Sequence, residues 1–197
     1  MKNELQQYID HKTVYCVGCR LHELHVNDNT YYYKGLGKLL SKPGKISNEI
    51  FVVGLNPSHV RWPGLMYSFG GGYATNCKQD QDNAGWKFFQ ILAKLNVLDR
   101  CYITNVAKCS TEDNTISEEY LEECYKQVLS VEIEYHSPKL ILALGRQTSD
   151  FLNKYSDIKN VYLPHPSYYF SYQKGNVQEY EEQIKKVLTE YKFYGQD

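Results

Sequence analysis

The chain lacks several features, and each absence excludes a class. No apolar run approaches the length of a membrane span, which argues against a helical membrane protein. Nothing at the start resembles a secretory signal. Six cysteines without such a signal predict a reducing, cytosolic setting, where metal or thiol is favoured over disulfide. The formal net charge is only -1, so strong nonspecific attraction to polyanions is not predicted from the total. There is no internal repeat, low-complexity tract or domain linker. A second tight C-x-x-C, which a plain zinc ribbon needs, is also missing.

What is present fits one domain over residues 1–197, with 42% apolar and 23% charged residues. Cys16 and Cys19 form a C-x-x-C near the start, and Cys109 and Cys124 form a loose pair much later. Soft thiolates at such spacing select a metal centre. A tight pair, a long gap and a loose pair suit an iron–sulfur cluster that pins the N-terminus onto a later part of the fold. Zinc in the same site is the alternative. Cys77 and Cys101 are left over, and Cys101, in a strand-like run, reads as a small core residue. Charge is segregated. Lys34, Lys38, Lys42 and Lys45 crowd an early stretch, either a basic face or a solvated loop, while Glu118, Glu119, Glu122, Glu123, Glu179, Glu181 and Glu182 come later. Tyrosine, at 19 residues, can stack on bases but also fills half-buried positions.

Residues 1–11 read as a short helix, Tyr31–Tyr33 as an extended piece and Ser41–Asn48 as a turn-rich connection. The continuous apolar run over Glu49–Gly54 predicts a buried strand. Leu55–Asn83 is long and glycine-rich, the kind of loop that is functional or mobile. Helical periodicity over Gly85–Leu95 runs through Trp86, Phe89, Leu92 and Leu95. Strands are predicted at Cys101–Val106, Leu140–Leu144 and Asn160–Leu163. Helices are predicted at Ser117–Tyr135, with Ser117 as N-cap, from about Arg146 to Tyr155, and at Val177–Tyr191. Strands alternating with helices predict an α/β fold with a four-stranded parallel sheet. Functional loops of such sheets lie at the C-terminal edge, which brings Gly54–Ser58, Thr104–Lys108 and Pro164–Ser167 toward one crevice.

Three of these segments together resemble the uracil-DNA glycosylase superfamily. Gly54-Leu55-Asn56-Pro57-Ser58 looks like its first motif, and Pro164-His165-Pro166-Ser167 contains its H-P-S motif. Tyr102–Cys109 is similar to the I-T-N-V-V-K-C stretch of the iron–sulfur uracil glycosylases of bacteria and archaea, and Leu140–Gly145 resembles that family's third strand and closing glycine. In that family the third cluster ligand follows the Asn at this spacing and the fourth lies on the next helix, as Cys109 and Cys124 do here. The likeness spans about Cys16 to Phe170 and implies a three-layer α/β/α fold. There are departures. Asn56 stands where the iron–sulfur family has G-E-A-P-G and instead resembles the asparagine of the mismatch-specific and single-strand-selective uracil glycosylases. Gln81–Gly85 replaces the family's P-F-V-G-R-A-G segment, which supplies an aromatic platform.

The resemblance implies a role for each residue. His165 donates a hydrogen bond to the departing base, or else fixes a proline-rich turn. Asn56 holds the attacking water, or serves a tight turn before Pro57. Asn105 reads the flipped base through its amide, which offers donor and acceptor, or caps the end of a strand. Phe69 is the expected base platform, with Tyr73 and Tyr67 as rivals. Ser58 and Ser167 hold phosphates, and Tyr168, Tyr169 and Phe170 lie where the family places its duplex wedge, or else pack on the body. A 4Fe-4S cluster on Cys16, Cys19, Cys109 and Cys124 is a structural crosslink in this reading. The expectation is therefore a monomeric, cytosolic DNA glycosylase, independent of any membrane, that releases uracil or a related damaged or modified base. Three alternatives stand beside it: a glycosylase for a bulky hypermodified base in foreign DNA, a catalytically silent iron–sulfur nucleic-acid-binding protein of the same fold, and a hydrolase of free nucleotides.

Overall fold

The computed structural model describes residues 49–56, 84–107 and 115–195, apart from the side chain of Trp86. They form a three-layer α/β/α fold around a four-stranded, all-parallel sheet of order β2-β1-β3-β4. Strands β1 (Ile50–Gly54), β2 (Cys101–Asn105) and β3 (Leu140–Leu144) are buried at every position. That is why their sequences are continuous rather than alternating apolar runs: helices cover both faces. Strand β4 (Asn160–Leu163) is the edge, and only Leu163 in it is buried.

The two-residue period of the strands divides the core. Ile50, Val52, Ile103, Leu140, Leu142 and Leu144 face α1 (Ala84–Lys94) and the last helix, α5 (Val177–Glu190). Phe51, Val53, Tyr102, Ile141 and Ala143 face α2 (Glu118–Cys124), α3 (Ser130–His136) and α4 (Arg146–Tyr155). The β1-to-β2 connection runs outward with α1 on the first face, and the β2-to-β3 connection returns past β1 with α2 and α3 on the second. Right-handed crossovers require that change of face when the direction reverses. The reversal puts the topological switch point between β1 and β3, where ligand crevices of such sheets open.

Element bounds follow the sequence reading within a residue or two, with one internal difference. The helix expected over Ser117–Tyr135 is broken by a π-helical turn at Tyr125–Leu129, directly after Cys124. Ser117 occupies the N-cap position with extended backbone, but its side chain makes no capping bond. At the N-terminal edge, Glu49 accepts from Arg100 (2.9 and 3.1 Å) and from Lys139 (2.6 Å), joining the entries of β1, β2 and β3. Arg100 also lies 4.6 Å over the Phe193 ring, which fastens the C-terminal segment to the same end. Among the described residues no helix is long and apolar enough to cross a membrane.

Candidate active site

The opposite, C-terminal edge carries the candidate residues. Asn105 ends β2, is paired with Gly54 and is 1% exposed. Past the strands the ladder continues. Val106 N–H donates to the Gly54 carbonyl (2.9 Å) and Ala107 N–H to that of Leu55 (2.8 Å). These bonds hold the start of the β1 loop, and with it half-buried Asn56, beside the end of β2. On the other side Gly145 N–H donates to the Leu163 carbonyl (2.8 Å), tying the end of β3 to the end of β4 two residues before His165. Asn56, Asn105 and His165 thus leave one sheet edge. Only β3 separates β1 from β4, so the roots of Asn56 and His165 are two strand spacings apart, about 10 Å.

Gly145 has φ +93°, a conformation that L side chains rarely adopt, and a Cβ there would sit 3.6 Å from the His165 Cβ. Glycine therefore lets α4 begin directly behind the histidine. His165 Nδ1 accepts from Ser167 N–H at 3.2 Å. A nitrogen that accepts carries no proton, so the neutral ring bears its hydrogen on Nε2, as a donor. Burial holds the imidazole below the ordinary histidine range, which favours the neutral ring. A lowered folded-state value means that neutral His165 contributes stability above the unfolded pKa, and that this is lost as pH falls through the folded value. Protonation also puts a second donor against Ser167 N–H. Activity is therefore expected to be level through neutrality and to fall only below the usual histidine midpoint, measured as the single-turnover rate against pH.

The end of β2 is anchored from below. Tyr102 and Thr104 donate to the two carboxylate oxygens of Glu132 on α3, at 3.0 and 2.9 Å, and Glu132 is fully buried. Sequence reasoning missed this residue, which sits in an acidic helix where glutamate normally marks the solvated face. Two polar side chains on the same face of a buried strand need a polar partner, but nothing local in the sequence says which residue supplies it.

After His165 the chain forms a π-helical turn at Tyr168–Tyr172. Ser167 is exposed, as is Tyr168, whose ring stacks with that of Tyr172 at 6.3 Å. Tyr169, expected at the DNA surface, turns inward instead. It is buried, its ring lies 4.8 Å from that of Tyr180, and its hydroxyl donates to Glu179. The i to i+4 spacing of the turn puts Tyr168 and Tyr172 on one side and Tyr169 on the other, so the exposed pair is Tyr168 and Tyr172.

Ser58, Phe69, Tyr73, Tyr67, Cys16, Cys19 and Cys109 lie outside the described residues, as do the early lysines, the helix expected over residues 1–11 and the extended piece expected at Tyr31–Tyr33. Of the expected cluster ligands Cys124 is described. It is 7% exposed and closes α2 against the second-face core. Cys101 is the core thiol its sequence context implied: it donates to the Val97 carbonyl, and burial pushes it up to about 12.

The family described as the Uracil DNA glycosylase superfamily matches residues 42–189, a span that includes all four strands. No curated protein matches the chain. Among solved structures, that of wild-type Pedobacter heparinus SMUG2 is similar at 14% identity and a TM-score of 0.47, covering 91% of this chain and 83% of that one.

Proposed function

Because the chain belongs to the uracil DNA glycosylase superfamily, we propose that it is a monofunctional DNA glycosylase that flips a uracil or a related damaged or modified base out of DNA and hydrolyses its N-glycosidic bond. The observation that carries this reading is the gathering of Asn56, Asn105 and His165 at one sheet edge, at the ends of strands inside the matched span. In the proposed reaction the C1′–N bond breaks, and its electron pair leaves with the base. His165 Nε2–H donates to the carbonyl oxygen on which that charge grows. The Asn105 amide reads the base edge, and Asn56 accepts a hydrogen from the water that adds to C1′. A neutral amide is a weak base and cannot keep a proton, so water gives up its proton only after the bond has largely broken. That proton ends, directly or through solvent, on the expelled base anion, which departs as the neutral base. Most of the rate then comes from positioning and electrostatics. The partner is DNA, and the acting unit is a monomer.

A panel of oligonucleotides with U:G, U:A, single-stranded U and bulkier modified bases, treated with alkali after incubation, tests this. Strand breaks at the modified position are the expected result. No break with any member would remove the glycosylase reading, and breaks with a bulky base alone would move the substrate away from uracil.

The same proposal includes a structural 4Fe-4S cluster on Cys16, Cys19, Cys109 and Cys124. Buried Cys124, at a helix end followed by an irregular π turn, is compatible with a thiolate held by a cluster, and four sulfur donors suit iron. The centre would crosslink the chain and take no part in hydrolysis. The purified protein is expected to be brown and to carry about four irons per chain, and Cys124→Ser should lower the iron content and melting temperature together. About one zinc per chain instead would assign the site to zinc.

A further inference from the structure

Tyr180 lies in the first turn of α5, outside every motif, and is fully buried. Its ring packs against Tyr169 (4.8 Å), Phe170 (5.1 Å) and Phe88 (6.3 Å). Phenylalanine would fill that apolar nest without the cost of burying a hydroxyl. The hydroxyl instead reaches out of the nest and donates a short hydrogen bond to the carbonyl of Pro164, the residue before His165. The next carbonyl, that of His165 itself, accepts from Tyr169 N–H at 2.9 Å. Tyr169 is fixed in turn, because Gly175 N–H donates to its carbonyl (2.8 Å) and because a Cβ on Gly175 would fall 2.3 Å from its ring. The two peptide carbonyls around the histidine are therefore both held by tyrosines of one cluster, and the ring nitrogen by Ser167 N–H.

We propose that Tyr180 is a positioning residue: its hydroxyl, through the Pro164 carbonyl, sets the direction in which His165 presents Nε2–H. This rests on the glycosylase reading for its effect on rate, but not for its effect on the imidazole. Tyr180→Phe keeps the ring and removes only the hydroxyl, so the variant should melt within about 5 °C of the wild type. A misplacement of about an ångström costs up to about a hundredfold in rate. The expected loss in single-turnover base release is about tenfold or more, with the oligonucleotide Kd unchanged. The 15N resonances of the His165 imidazole should move, because the Ser167 bond is strained with the loop. Gly175→Ala, whose Cβ drives the Tyr169 ring against that of Tyr180 and so displaces its hydroxyl from the Pro164 carbonyl, should give the same two changes and serves if Tyr180→Phe does not fold. Wild-type rate with unmoved imidazole resonances would overturn the proposal, as would a slower rate with unmoved resonances or a loss confined to Kd. If the wild-type protein releases no base, the glycosylase reading fails by itself; the resonances then decide, moved in favour of the positioning role and unmoved against it.

Discussion

His165→Ala is expected to slow base release from a uracil-containing oligonucleotide by about a hundred- to a thousandfold, the loss typical of removing one donor aimed at a developing oxyanion. Oligonucleotide binding should survive, because the lost contact strengthens only as charge builds on the leaving base. The fold should survive too. His165 is only partly buried, and the Ser167 N–H that loses its acceptor belongs to an exposed residue that water can reach. Single-turnover rates at saturating enzyme separate the chemical step from binding. A variant within about threefold of the wild type would mean that His165 serves the turn and not the reaction.

Asn105→Asp is expected to combine a large stability loss with a large activity loss. The side chain is 1% exposed at the end of a fully buried strand, so the change places a carboxylate where burial of a charge costs several kcal/mol. The melting temperature should fall by about 5 °C or more. Below the melting range the rate should still drop well beyond that of Asn105→Ala, since a carboxylate beside the flipped base opposes the negative charge forming on it. The stability loss should shrink as pH falls: burial raises the pKa of the introduced carboxyl, and protonation removes the charge. Thermal melts across pH, with rates measured on the same samples, check both parts. Equal rates for Asp and Ala at position 105 would argue that this side chain does not face the base.

Strands β1, β2 and β3 were legible from sequence because each is a short, mainly apolar run, and burial on both faces leaves few other uses for such runs. Edge strand β4, buried only at Leu163, was marked by the Pro164–Ser167 segment it runs into. Gly54, Gly145 and the H-P-S segment marked where they end, and an all-parallel sheet then brings those ends to one edge. Four things were not legible. The π turn at Tyr125–Leu129 lies in residues with ordinary helical preference, so nothing in their sequence marks it. Glu132 was hidden because local sequence cannot say which glutamate of an acidic helix faces a strand. Tyr180 was hidden because tyrosine suits both half-buried and fully buried positions, and its partner is a backbone carbonyl that no sequence pattern marks. The inward turn of Tyr169 has the same origin. Helical spacing points neighbouring tyrosines in different directions, but only packing against α5 decides which one goes inside.

Chromatographic detection of the free base from a uracil-containing oligonucleotide, with wild type and His165→Ala side by side, bears most directly on the proposed activity. Free base and abasic sites should appear in equal amounts with the wild type and be nearly absent with the variant. Intact oligonucleotide with every base in the panel, or base release from free nucleotides alone, would contradict the account.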